Sequence, residues 1–310
     1  MGEIRNILVA VDGSDQALEA VRFAGITFPP EKTHVLLYHV GSPVPEAFLD
    51  LRKDLEFRSS VVPISAWASQ MKKNMEAFMD RSCESLKDSG FSQDAISVEI
   101  AKKNKGISRD ILQKAKEGFS AAVIGRTGVS RIKDILMGSV AEKLVGVIKG
   151  LPLIVVGGNP SPGKILIAFD GSEGSWRAVN QVAALADPSR TEILISHVVR
   201  PMEIPYRSQT VFNSGHEAQW VDENTRAIIP KLVEAKNLLV NRGFSEERIV
   251  REVLENRYSR AATLAKEAVA RGYGTIVLGR RGLTMVEEFL MGRVSRKVLQ
   301  LAKERSVWIA

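Results

Sequence analysis

Asp12-Gly13-Ser14 follows directly on the apolar run Ile7 to Val11, setting a carboxylate where a strand would turn into a helix. A carboxylate there can accept hydrogen bonds from ribose hydroxyls or an adenine amine. An Asp-Gly pair is also a common turn former, and this feature alone supports both readings. A stronger signal is Gly125-Arg126-Thr127-Gly128, followed after nine intervening residues by Gly138-Ser139 at the head of a helical stretch. Glycine lets backbone amides approach phosphate oxygens, and a helix start offers amides without partners plus the positive end of its dipole. That is chemistry for a polyanion. Ser139 with Glu142 also spells a capping box, and capping is compatible with phosphate contact because other first-turn amides remain.

Several chemistries are disfavoured. The sequence has neither the GxxxxGK[ST] of a P-loop nor a GxGxxG after its first strand-like run, which argues against an ordinary P-loop ATPase or a dinucleotide enzyme. Cys83 is the only cysteine, so no internal disulfide, zinc cluster or CxxC redox motif can be built. It reads as an inert thiol, and a cytoplasmic setting is expected. His39 and His197 end equivalent apolar runs but lack metal-ligand or nucleophile partners nearby in sequence, so they read as structural or nucleotide-lining. No apolar run is long enough to span a membrane, and Met1 to Asn6 lacks signal-peptide character. The net charge of +7 is uneven, with 21 basic and 19 acidic residues up to 158 and 22 and 17 beyond it. Nucleic-acid binding would need a basic run interleaved with aromatics, and none is present, so it is not expected.

The elements that must position these residues occur twice. Ile7 to Ser14 returns as Ile165 to Ser172, Leu36 to Val40 as Leu194 to Val198, Gly90 to Ser92 as Gly243 to Ser245, and Ala122 to Arg126 as Ile276 to Arg280. Ordered matches at this spacing mean duplication of a whole domain rather than a solenoid. Gly157 to Gly163, rich in glycine and proline, reads as the linker, giving domains over 1–158 and 163–310. Within each copy, short aliphatic runs alternate with amphipathic ones. This pattern predicts an α/β fold with a parallel doubly wound sheet, strands buried on both faces, and ligands beyond the strands' carboxyl ends. Helical stripes containing Trp67, Met71, Met75, Phe78 and Met79, and Trp220, Ile228, Leu232 and Leu239, read as packing faces, with a ligand cover as the alternative.

These residues resemble the universal stress proteins, whose nucleotide-binding branch carries G-x2-G-x9-G-[ST]. Gly125, Gly128, Gly138 and Ser139 match that spacing, beside Val11 to Ser14, Leu136 to Lys143 and Leu151 to Val156. The resemblance covers nearly the whole chain as two copies. It implies tandem Rossmann-like domains, each with a mainly parallel five-stranded sheet flanked by helices, and binding of ATP, ADP or AMP. Magnesium would be held through the phosphates. By that resemblance Asp12 and the backbone near Val40 hold the adenosine part. Gly125, Arg126, Gly128, Gly138, Ser139 and Val140 surround ribose and phosphates. The second copy keeps Asp170, Gly279, Gly282 and Gly292 but has Arg293 in place of Ser or Thr, so weaker or absent ATP binding is expected there. The resemblance further implies an intramolecular pseudo-dimer, leaving association into a homodimer open. The expected function is a nucleotide-regulated stress-response module with at most slow ATP hydrolysis. An adenylyl-transferring enzyme and a nucleotide-independent scaffold are the alternatives.

Overall fold

The computed structural model describes residues 4–41, 64–128, 137–158, 161, 163–201, 214–281 and 291–310. By sequence, each copy contributes five strands. The first has β1 (Arg5–Ala10), α1 (Asp15–Thr27), β2 (Thr33–Gly41), α2 (Ile64–Asp88), β3 (Ile96–Lys102), α3 (Ile107–Ala115), β4 (Ala121–Gly125), α4 (Ser139–Val147) and β5 (Leu153–Val156). The second has β6 (Lys164–Ala168), α5 (Glu173–Leu185), β7 (Glu192–Val198), α6 (Ser214–Asn241), β8 (Ile249–Leu254), α7 (Arg260–Ala270), β9 (Thr275–Leu278), α8 (Arg293–Leu301) and β10 (Ser306–Ile309). The sheets are mostly parallel and helices alternate with strands, as an α/β fold requires.

Two compact units result, and they do not coincide with the sequence copies. The first comprises residues 1–25 and 30–147, the second 26–29 and 148–310. In the first unit the strand order is β3-β2-β1-β4, with β1 parallel to β2 and β4 and β2 parallel to β3. In the second it is β5-β10-β9-β6-β7-β8, parallel except for the antiparallel pair of β5 with β10. That pairing, Val155 opposite Val307 and Ile154 opposite Trp308, gives β5 its place in the second unit. Phe28 stands edge-on to Trp308, with ring centroids 6.5 Å apart, and the Asp187 amide donates to the Thr27 carbonyl at 3.0 Å.

Ile7, Leu8 and Val9 of β1 and Leu166 and Ile167 of β6 are wholly buried, because helices cover both faces of the central strands. The third strand departs from the expected two-sided burial: Val98 and Ile100 of β3 are each 45% exposed. β3 stands at the end of its unit's strand order, where cover is incomplete. β1 lies between β2 and β4, and β6 between β7 and β9, so each unit has a switch point at which connections leave in opposite directions. Register aligns Ala10 with Ile124 and Ala168 with Leu278, bringing the Asp-Gly-Ser turns beside the ends of β4 and β9.

Candidate functional site

In the first unit, β1 ends at the Asp12 turn. The Ser14 amide and hydroxyl both donate to Asp12 Oδ1, at 3.1 and 2.6 Å, and the Ala17 amide donates to Ser14 Oγ at 3.1 Å. The turn and the start of α1 are therefore one hydrogen-bonded piece. Gly13 has φ +85°, where a side chain would be strained, and a Cβ on it would lie 3.2 Å from Met75 of α2. Met75, Phe78 and Met79 are buried, while Met71 at the same stripe's outer end is exposed. Met75 of that stripe thus lies against the Gly13 turn.

The structure brings the glycines to this turn and gives each a local reason. A Cβ on Gly125 would lie 3.0 Å from the Gln16 carbonyl of α1; one on Gly128 would collide with Asp12 Oδ2. The Gly138 amide donates to the Arg126 carbonyl at 2.8 Å, and its Cα faces the backbone of residues 126–128. The Gly138 carbonyl accepts from the Glu142 amide at 2.9 Å, so glycine occupies the cap position and Ser139 is the exposed first residue of α4. The capping-box reading of Ser139 gives way to this arrangement, and Val140 follows in the same open first turn, half-buried. Arg126 has its side chain buried at 4% exposure, and its carbonyl is the acceptor for the Gly138 amide. Val40 is buried at the end of β2, and His39 beside it donates from Nδ1 to the Val11 carbonyl at 2.8 Å.

The second unit repeats the frame and opens into a cavity of about 420 Å³ lined by Asp170, His197, Gly279 and Gly292 among others. The Ser172 amide donates to Asp170 Oδ1 at 3.0 Å, and His197 Nδ1 donates to the Phe169 carbonyl at 2.8 Å. With Nδ1 as donor, neutral His197 keeps Nε2 as an acceptor. Burial, helped by Arg260, lowers the His197 pKa against the opposing pull of the Phe169 carbonyl and Asp170. Gly279 and Gly174 approach so closely that a Cβ on Gly279 would lie 2.5 Å from Gly174 backbone, a contact that joins β9 to the start of α5. Gly292 caps α8 through its carbonyl, which accepts from the Arg296 amide at 3.0 Å. Gly282 lies outside the described residues.

Arg293 lines this cavity. So do Arg281 and, unnamed by sequence reasoning, Arg200 and Arg260. Arg260 is the first residue of α7, as Ile107 is of α3. Burial and then Arg200 push the Arg260 guanidinium below its usual value, with Asp170 opposing. Ser295, two residues into α8, donates to the Gly279 carbonyl at 2.8 Å and ties the helix to β9. Arg280, the counterpart of Arg126, donates to the Ile148 carbonyl at 2.6 Å. An adjoining hollow of about 350 Å³ shares His197, Val198, Arg200 and Arg260 and reaches Trp220 and Asn224 of α6. Ile228, Leu232 and Leu239 of that helix are buried, whereas Trp220 is 42% exposed and its indole donates to the Arg200 carbonyl at 3.2 Å.

Fold and site define a duplicated α/β protein with a strand-end carboxylate, a glycine turn and a helix start gathered at each switch point. The Universal stress protein family profile matches residues 3–156 and again 162–309, and the chain belongs to that family as a tandem member. Universal stress protein YxiE of Bacillus subtilis (strain 168) is 30% identical over 142 residues, 45% of this chain and 93% of the relative. Among solved structures, a universal stress protein from Archaeoglobus fulgidus DSM 4304 has a TM-score of 0.60 at 15% identity, covering 98% of this chain and 97% of its own. One from Pseudomonas aeruginosa UCBPP-PA14, described as a putative universal stress protein, has a TM-score of 0.54 at 17% identity, covering 99% and 92%. These structural likenesses concern the fold. Among the described residues no helix is long and apolar enough to cross a membrane, and no group of three or more His, Cys, Asp or Glu side chains is placed to hold a metal.

Proposed function

We infer that the chain is a stress-response protein regulated by an adenine nucleotide, ATP or its shorter relatives, bound chiefly in the first repeat. The observation that carries this reading is the closeness of Gly128 to the Asp12 carboxylate, with Gly138 and the opening turn of α4 held on the same turn. Asp12 supplies acceptors for ribose hydroxyls or an adenine amine. The amides of Ser139 and Val140 supply donors for phosphate at the positive end of a helix. The residues present fit a nucleotide in this respect, since the missing Cβ of Gly128 keeps the carboxylate in place. Magnesium would then be held by the phosphates and solvent.

Denaturing freshly purified protein and identifying released nucleotide by mass and absorbance tests the reading. Near-stoichiometric adenine nucleotide is expected in the wild type and in Gly292→Asp, and its loss in Gly138→Asp, which sets a carboxylate where phosphate would lie. Absence of released nucleotide, and of binding when ATP is added, would replace this reading with an interaction scaffold.

A further inference from the structure

α7 and α8 pack against each other, and each carries the chain from the carboxyl end of one strand to the amino end of the next in a parallel set. Their C-terminal ends therefore lie at the same end of the sheet, away from the glycine turns. Residues 260–271 and 293–303, which hold these helices and the positions just after them, contain seven Lys or Arg and one acid, Glu267. The matching stretches of the first copy, 107–118 and 139–149, contain five and three. Glu267 pairs with Arg271 at 3.1 Å. Part of the excess follows from helix electrostatics, since Arg271 and Lys303 stand at helix C-terminal ends, where a cation is favoured. Arg296 does not. Aligned on Leu136-Met137-Gly138 and Leu290-Met291-Gly292, it stands where α4 has Glu142, in a first turn where a cation opposes the dipole. That charge reversal weakens the helix, and both Arg296 and Lys297 face solvent. Beside these cations and the exposed Lys266 and Lys303 stand two exposed aliphatic side chains, Val269 at 62% and Leu301 at 45% exposure, near the ends of α7 and α8.

We propose that this face, formed by Lys266, Arg296, Lys297 and Lys303 with Val269 and Leu301, docks the protein peripherally on an anionic phospholipid surface. A group of about four Lys or Arg on one helical surface suffices to attract acidic headgroups. The two aliphatic side chains enter the boundary between headgroups and acyl chains, as they do in helices that lie on an interface. α8 places its own apolar face in the core, where Val298, Leu299 and Ala302 are buried, so the attachment is mainly electrostatic and reversible. Nucleic acid fits this face less well, because neither helix contains an aromatic side chain on which a base could stack. An acidic polypeptide would be held by the cations and would leave Val269 and Leu301 without a role. The proposal rests on the outer surface of two helices and is independent of the nucleotide reading.

The test is co-sedimentation of the full chain with vesicles of phosphatidylcholine alone and of phosphatidylcholine mixed with phosphatidylglycerol. Partition onto the mixed vesicles and not onto the neutral ones is expected, falling as salt is raised because salt screens exposed charges. Lys297→Gln and Lys303→Gln should each lower the partition coefficient about fivefold, the effect of one basic side chain near such a surface. Arg226→Gln, an equal change of charge at an exposed position of α6, should leave it unchanged. Leu301→Gln should lower partition onto the mixed vesicles while leaving any binding to polyglutamate as in the wild type. All four positions are exposed, so none of these changes touches the core. No partition onto the mixed vesicles, equal partition onto neutral ones, or an equal loss in Arg226→Gln would overturn the proposal. Partition indifferent to Leu301→Gln, together with tighter binding to polyglutamate, would overturn it in favour of an acidic polypeptide partner.

Discussion

Gly128 and Asp12 occupy their places as a pair, since any side chain at 128 would drive into the carboxylate. Gly128→Ala is therefore expected to displace Asp12 or the turn at a cost of about 1–3 kcal/mol, with nucleotide affinity falling alongside. Gly138→Ala is the control: its Cβ would lie 3.4 Å from the nearest atom, an ordinary contact. As a cap substitution it should cost under about 1 kcal/mol. Urea midpoints of the two variants separate these outcomes. Asp110, in the first turn of α3, accepts from the amides of Asn104, Lys105 and Gly106 at 2.8, 2.9 and 3.4 Å. Burial alone would raise its pKa, but the three amides outweigh burial and hold it below the usual carboxylate range. Its stabilisation is present above the unfolded pKa of about 3.9 and is lost as pH falls through the lower folded value. The stability gap between wild type and Asp110→Asn should thus be widest near neutrality and close in acid, as denaturant midpoints across pH would show. Asp110 was not legible in the sequence: an acid in a first helical turn reads as solvated, and its amide partners converge only because Gly106 takes φ +123°. Arg200 and Arg260 escaped for a related reason, since each is an ordinary surface arginine until the fold sets the end of β7 and the start of α7 at one cavity.

At the scale of elements, the central strands were readable because two-sided burial demands continuous aliphatic runs. Ile96 to Ile100 obeyed the same composition without the same burial, since composition does not say which strand stands last in the order. The glycine spacing was legible as a site, but its reasons were partly different: Gly125 and Gly279 serve helix-to-strand approach at Gln16 and Gly174. Phe28 carried no signal of its destination, lying just beyond α1 in the first copy while its ring meets Trp308 of β10. Both rings are wholly buried. Phe28→Ala should cost about 3–5 kcal/mol, as aromatic truncations in cores do. The loss should appear in hydrogen exchange of β9 and β10 amides. Faster exchange confined to β1 and β2 would show that Phe28 belongs energetically to the first unit.

For the whole molecule, duplication supplied two similar frames that have since diverged in charge. The half beyond residue 158 holds the larger basic excess, and four of its arginines line one cavity. The compact units cut across the duplication at residues 26–29 and at β5, which has a consequence in time. On the ribosome the first unit can close once residue 147 has emerged, yet β5 must wait for β10, about 150 residues later. At ordinary elongation rates that delay is about 8–30 s. During it, β5 travels in the nascent chain without its antiparallel partner β10 and Phe28 without Trp308, which makes this interval the one in which a chaperone has most to shield.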